Sequence, residues 1–345
     1  MYVWYWNAYR CYAYLSDVGH APDVDNAFLT PQQLDTSEWF TRGWTLQELL
    51  APQTVIFVDD EWQIIGHKCC LPCWCMSETR YALKQDLGHL GPILNEQLTE
   101  ITGIDGEFLE RCEKIQTASI ARRISWASKR KTTRIEDMAY CLLGLLRVNM
   151  PLLYGEGETA FCRLQEELIK RSTDQSIFAW TLNEAEYGHI ANVPKVSGIF
   201  AHSPADFEKS GSVCTTGADT WPYTMTNTGL HLRTVARRSR LARKIGRYGS
   251  RGGQEIFVIR LNCRLETVEW TPSKDSGEPI DIVVAECPRP FQGLAHLRRF
   301  QRIHDFGRML ADSCPIGPPE DVNLYVRTFN HVEVLRWLDP DPYYP

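Results

Sequence analysis

Apolar positions in the first half of the chain switch between short continuous runs and helical spacing, with turn residues between them. Tyr2 to Val18 is rich in aromatic residues and joins a helical start to the run Cys11-Tyr-Ala-Tyr-Leu15, which reads as a buried strand. Such a strand needs neighbours, and none precedes it, so the chain reads as opening in the middle of a domain. Thr36 and Ser37 stand as cap residues ahead of Trp39-Phe40, and a second helical segment, Trp44 to Leu50, closes at Pro52. Thr54-Val-Ile-Phe-Val58 follows as a strand ending at Asp59-Asp60, which completes a helix-to-strand unit of α/β type.

Gly66 to Gly91 has neither period and reads as a loop or insertion. Helical spacing resumes near Leu94. Thr133-Arg-Ile-Glu136 has capping-box spacing and predicts one helix with Ile135, Met138, Ala139, Leu142, Leu143 and Leu146 on its core face. Pro151 ends that helix, and Gly155-Glu-Gly157 leads into another with Phe161, Leu164, Leu168 and Ile169 in register. Beyond Trp180 the texture changes to turns and short strands: Tyr223 to Leu232, Glu255 to Leu265, Ile280 to Glu286 and Leu324 to Thr328. No repeat of fixed period appears, which argues against a solenoid or propeller. A chain of 345 residues with this change of texture predicts two domains, α/β and then mainly β.

Composition and charge narrow the function classes. The chain is 43% hydrophobic with 11 Trp, 14 Tyr and 13 Phe, far too apolar for a disordered protein. A net charge of -6 argues against nucleic acid as the main partner. The longest apolar run, Ala139 to Leu146, is too short to span a bilayer, and Met1-Tyr-Val-Trp-Tyr-Trp6 lacks the basic and apolar regions of a secretory signal. A cytoplasmic protein is expected, and its 12 Cys then read as reduced thiols rather than a disulfide framework.

Three stretches together are those of a known family: Arg42-Gly-Trp-Thr-Leu-Gln-Glu-Leu-Leu-Ala-Pro52, Ile124-Ser-Trp-Ala-Ser-Lys-Arg-Lys-Thr-Thr-Arg-Ile-Glu-Asp-Met-Ala-Tyr-Cys-Leu-Leu-Gly144, and Asn149-Met-Pro-Leu-Leu-Tyr-Gly-Glu-Gly157 running on to Phe178-Ala-Trp180. In combination they resemble the fungal heterokaryon-incompatibility domain. The resemblance covers roughly residues 1–180, and residues 181–345 look like the uncharacterised β-rich domain that often follows it. Members of the family normally begin with a strand-rich portion carrying Leu-Ser-x-x-Trp and Trp-Ile-Asp-x-x-Cys-Ile motifs, and neither occurs here, so the domain reads as N-terminally truncated. The stretch Cys69 to Ala82 also interrupts a region that in relatives runs straight from the Gly-x-Lys step into a helix.

The resemblance implies a role in non-self recognition and programmed cell death, with a protein partner or self-association. It also implies a TIR/flavodoxin-like fold, incomplete here, whose enzymatic members cleave NAD with a glutamate in a Trp-Cys-x-x-Glu-Leu context. Trp44-Thr-Leu-Gln-Glu48-Leu49 has that spacing, which makes Glu48 the candidate catalytic carboxylate, with Arg42 and Trp44 as candidate substrate contacts and NAD as substrate rather than bound cofactor. Against it stands a bland account: Glu48 as a carboxylate in the first turn of a short helix, and Arg42 as the ion-pair partner of Glu38 and Glu48. The competing function is a non-catalytic module for self-assembly or partner binding.

Other clusters carry weaker signals. Glu136 and Asp137 read as helix initiation rather than a catalytic pair. Gly155-Glu-Gly-Glu-Thr-Ala160 fits the dinucleotide fingerprint formally, but a tight turn feeding a helix accounts for it better, because Glu156 would stand where a pyrophosphate approaches. Cys70-Leu-Pro-Cys73, with Cys69, Cys75 and His67, lacks the second knuckle of a zinc site, so no metal is assigned. Arg233 to Arg251 holds eight basic residues and reads as a solvated loop, with an acidic partner, RNA or anionic lipid as the alternative.

Overall fold

The structure, a computed structural model, describes residues 1–19, 34–70, 90–183, 195–217, 222–227, 229–239, 256–266, 277–286, 299–304, 316–326, 328 and 333–334. They form two compact units, Met1–Ala118 with Arg122–Leu164, and Ser119–Ala121 with Gln165–Pro345.

The first unit mixes helices with a small sheet. Helix α1 (Tyr2–Asn7) leads to strand β1 (Cys11–Tyr14), a short 3-10 turn (Glu38–Thr41), helix α2 (Thr45–Leu50) and strands β2 (Thr54–Val58) and β3 (Ile64–Cys69). The sheet order is β1-β2-β3: β1 runs parallel to β2, with Cys11 opposite Val55 and Tyr14 opposite Val58, and β2 runs antiparallel to β3. Val55 to Val58 are all buried, which is why the central strand reads as an unbroken apolar run. Ser37 caps the 3-10 turn by accepting from the Trp39 backbone N–H, and Trp39, Phe40 and Phe57 form an aromatic knot with centroids 5.1 to 6.0 Å apart.

Helices α3 (Asn95–Thr102), α4 (Gly106–Glu110), α5 (Ile120–Ser125), α6 (Asp137–Tyr140), α7 (Leu143–Leu146) and α8 (Thr159–Ile169) follow. The α8 positions Phe161, Leu164, Leu168 and Ile169 are buried as their spacing predicts.

Three expectations need correction. The start of the stretch taken as irregular is strand β3, and the chain runs back beside it, where His67 N–H donates to Pro92 O and Leu94 N–H to His67 O, both at 2.9 Å. The expected helix from Ile135 to Leu146 is two helices, α6 and α7. Gln47 Nε2 donates to Cys141 O at 2.5 Å, taking a carbonyl that a continuous helix would need, and Ile135 is half-exposed. Third, Cys70 and Cys112 form a disulfide with Cα atoms 6.3 Å apart, although 42 residues separate them in sequence. Cys11, Cys141, Cys214 and Cys263 are free thiols, and Cys73 and Cys75 lie outside the described residues.

The second unit is mostly sheet. Strands β4 (Lys195–Ser197), β5 (Val213–Thr215), β6 (Thr224–Thr226), β7 (Gly229–Ser239), β8 (Ile256–Leu265), β9 (Glu278–Glu286), β10 (Arg299–His304), β11 (Ile316–Val326) and β12 (Glu333–Val334) belong to one sheet. Its order β11-β7-β8-β9-β10 closes on itself because β10 also pairs with β11, in parallel. The basic run from Arg233 begins as strand β7 rather than as a solvated loop, and residues 240–251 lie outside the described residues. Leu230, Leu232 and Ala236 of β7 and Leu324 and Val326 of β11 are buried in the alternation expected of one inward face, whereas Ile256 to Ile259 of β8 and Ile282 to Val284 of β9 are buried without a break. Arg302 of β10 is buried beside them: Nη1 donates to Phe178 O at 2.7 Å, Nη2 donates to Trp180 O, and the guanidinium lies 4.2 Å from the Trp180 ring centre. Burial lowers its pKa to about 9.

Candidate functional site

Two of the three stretches that carry the family resemblance meet around helix α2 in the first unit. At the helix entry, Gly43 N–H donates to Lys131 O at 2.8 Å, and Arg130 Nη1 donates to both Arg42 O and Thr45 Oγ1, at 2.8 and 2.9 Å. Thr45 Oγ1 in turn donates to Trp39 O at 2.6 Å. A Cβ at Gly43 would sit 2.5 Å from Thr132 Cγ2 and 3.3 Å from Cys141 Sγ, so the close approach of these segments requires glycine there. Burial lowers the Arg130 pKa to about 10, and its Nη2 has no hydrogen-bond partner.

The far end of α2 is held by Lys68. This side chain has no exposed surface, and its Nζ donates to Leu49 O at 2.8 Å and Pro52 O at 2.7 Å, satisfying carbonyls that a helix C-terminus leaves open. Burial pushes its pKa down to about 7, against the opposing influence of the Cys69 and Cys11 thiols.

Between these two cations sits Glu48, half-buried, with Oε1 accepting from the Tyr5 hydroxyl at 3.2 Å. Burial, and then Glu48, push the Tyr5 phenol up to about 12, and burial with Glu48 also raises the Cys11 thiol. Trp44 stands at the N-cap of α2 and lies four residues before Glu48, on the same side of the helix. Arg42 is exposed, and it is its carbonyl, not its guanidinium, that enters the network. Among the described residues it forms no ion pair with Glu38 or Glu48, so the expected structural pair is absent.

The third stretch is clamped to the second through Glu136. Its Oε1 accepts from Gly155 N–H at 2.7 Å and Gly157 N–H at 3.1 Å, across a turn where both glycines have positive φ, 101° and 58°. Hydrogen bonds from its own backbone and from these two amides hold the carboxyl below its ordinary value. The capping-box reading of Glu136 is thereby corrected, since its side chain makes no cap bond to α6. The same contacts dispose of the dinucleotide fingerprint: the Gly155 and Gly157 amides are occupied, and Glu156 is paired with Arg163 and accepts from the Tyr140 hydroxyl at 2.7 Å.

Nothing in the hydrophobic pattern singles out Lys68 or Arg130, because each is a cation buried by tertiary contacts. Among the described residues no cluster of three or more His, Cys, Asp or Glu is placed to hold a metal, and no helix is long and apolar enough to cross a membrane.

The aromatic residues at the front of the unit face outward. Trp4 is 77% exposed, Tyr9 76% and Trp62 64%, and Tyr12 and Tyr14 of the edge strand β1 are also exposed. Trp62 stacks on Tyr14 with centroids 4.9 Å apart and occupies the β2–β3 turn at φ 63°, a left-handed conformation that a bulky residue rarely adopts. Asp59 builds that turn: its Oδ1 accepts from the backbone N–H groups of Glu61 and Gln63.

Comparison with known proteins agrees with the sequence reading in part. Residues 159–233 match a family model described as a domain of unknown function, DUF8212. The vegetative incompatibility protein HET-E-1 of Podospora anserina is 37% identical over 172 residues, which is 49% of this chain. The chain spans 11% of that relative's length. No solved structure matches the chain. Over about half its length, this chain is similar to a vegetative incompatibility protein.

Proposed function

We propose that the chain acts in fungal non-self recognition and programmed cell death as an association module of the vegetative-incompatibility type, in the cytoplasm, with a second copy meeting the aromatic edge of the first unit. On this reading residues 1–180 are the C-terminal part of a heterokaryon-incompatibility domain with a TIR/flavodoxin-like ancestry, and residues 181–345 are the β-rich domain that follows. The observation that carries the reading is Trp62. Trp62 is a large apolar side chain in a strained backbone conformation, held at the surface and stacked on Tyr14 of a strand at the edge of the described sheet, and strain of this kind collects at functional sites. Two copies of β1 pairing edge to edge would bury Tyr12, Tyr14 and Trp62 at a two-fold interface.

The test is expression in fungal cells. Growth arrest that is relieved by Trp62→Gly and kept by Glu48→Gln is the expected result; arrest that survives Trp62→Gly would overturn the reading.

A second reading, hydrolysis of NAD, draws on Glu48. The carboxylate is half-exposed, has among the described residues only a neutral phenol as hydrogen-bond partner, and shares a helix side with Trp44. It predicts NAD loss and nicotinamide release by the purified chain, abolished in Glu48→Gln. Intact NAD in both samples would leave the association reading alone.

A further inference from the structure

We infer that the Cys70–Cys112 bond is a reversible redox switch, closed and opened by exchange with a small-molecule disulfide and thiol such as glutathione, which locks and releases helices α3 and α4. The bond joins positions with a sequence separation of 42, and the span between them carries both helices, each packed against β3.

The frame around the two sulfurs does not depend on the bond between them. Cys70 N–H donates to Gln53 O at 3.0 Å. The preceding residue is clasped by Asn95, whose Oδ1 accepts from Cys69 N–H at 3.1 Å while its Nδ2 donates to Cys69 O at 2.8 Å. Cys112 opens a 3-10 turn (Cys112–Thr117), which Gln116 ties to α7 by donating from Nε2 to Leu145 O at 3.1 Å. Opening the bond therefore leaves the two sulfurs close together, at a high effective concentration for closing again.

The fold also provides for the open form. Cys70 Sγ lies 3.3 Å from Leu109 O of α4, and Cys112 Sγ lies 3.7 Å from Pro52 O at the end of α2. A disulfide has no S–H to offer, so these two hydrogen bonds belong to the dithiol alone. Stabilising the dithiol makes a disulfide easier to reduce, whereas the preset frame favours closure. The two effects oppose each other and keep the pair where the surrounding thiol pool decides its state.

Closure needs no further reactant. The Cys70 thiolate attacks one sulfur of glutathione disulfide, breaking its S–S bond and releasing one glutathione thiolate. The Cys112 thiolate then attacks Cys70 Sγ in the mixed disulfide and expels the second glutathione. Two protein S–H bonds are lost and two glutathione S–H bonds are gained, so the protein gives up the two electrons that the small disulfide takes. Cys70 is the more exposed of the pair, 7% against 3%, and meets glutathione first. Because both are buried, exchange waits on local opening and takes minutes to hours.

The test equilibrates the purified full chain in glutathione mixtures from about 1000:1 to about 1:1 reduced to oxidised, at about 5 mM total, then alkylates and weighs it. The Cys70–Cys112 pair should pass from dithiol to disulfide within that range, with the same result from either side. Hydrogen exchange in α3 and α4 should be at least about tenfold slower in the oxidised form. Cys112→Ser keeps a donor beside Pro52 O and cannot close, so its exchange should ignore the mixture. A pair that stays oxidised throughout is a permanent staple and one that stays reduced is no switch; either overturns the proposal. So does exchange in α3 and α4 that oxidation leaves unchanged, or that follows the mixture equally in Cys112→Ser. The wild-type titration decides by itself if that variant does not fold.

Discussion

Lys68 shows what a single buried cation does to the stability of the first unit. Its ordinary pKa is 10.5, and burial lowers it to about 7 in the fold. Between those values the unfolded chain binds the proton and the folded chain does not, so stability rises with pH there, and below about 7 both states hold the proton and the slope vanishes. The Cys69 and Cys11 thiols act in the opposite sense only at more alkaline pH, because burial raises both while the unfolded thiols ionise near pH 8.5. From pH 7 to that point denaturant titration of the wild type should show stability rising by up to about 1.4 kcal/mol per pH unit. Lys68→Met should flatten that rise; parallel slopes in the two proteins would contradict the assignment. None of this is legible in the sequence. Ile64-Ile-Gly-His-Lys-Cys69 has no clean strand alternation, and nothing in it says that Lys68 reaches two backbone carbonyls of another element.

At the scale of elements, local patterns were read well where packing agreed with them and badly where a side chain was recruited elsewhere. Thr54 to Val58 and Phe161 to Ile169 were legible because their apolar period is satisfied by burial of one face or of both. The stretch from Thr133 to Leu146 was not, because Gln47 takes the Cys141 carbonyl and Glu136 turns away from its own helix to the Gly155–Gly157 turn. Both partners are remote in sequence, beyond the reach of any local rule. The Glu136 carboxyl is held below its ordinary value, so its contribution is present above the unfolded pKa and lost as pH falls through the folded one. Glu136→Gln should therefore lower the melting temperature near neutral pH, and the gap to wild type should narrow as the solution is acidified toward pH 3. A gap that stays constant would mean that the charged carboxylate is not what holds the turn.

For the whole molecule, the change from mixed to mostly sheet structure was visible as a change of texture beyond Trp180. The closure of the strand ring was not, since the β10–β11 pairing joins segments without any shared motif. The Cys70–Cys112 disulfide was missed for a related reason: a spacing of 42 residues fits no framework until β3 and the 3-10 turn Cys112–Thr117 are placed side by side. A cross-link over that separation restricts the unfolded chain, and its removal by Cys70→Ser with Cys112→Ser should cost about 2–4 kcal/mol in denaturant unfolding. A loss indistinguishable from zero would argue that the two cysteines are thiols in the working protein. The motifs Arg42 to Pro52, Ile124 to Gly144 and Asn149 to Gly157 are linked by hydrogen bonds in the first unit, through Gly43 with Lys131, Gln47 with Cys141, and Glu136 with Gly155 and Gly157.

The most direct test of the association reading is sedimentation velocity on the purified chain and its Trp62→Gly variant over a range of concentrations. Glycine relieves the left-handed conformation, so the variant should fold at least as stably as the wild type. The account predicts a wild type that shifts toward dimer with concentration and a variant that stays monomeric. A wild type that remains monomeric throughout, or a variant that associates equally well, would contradict it.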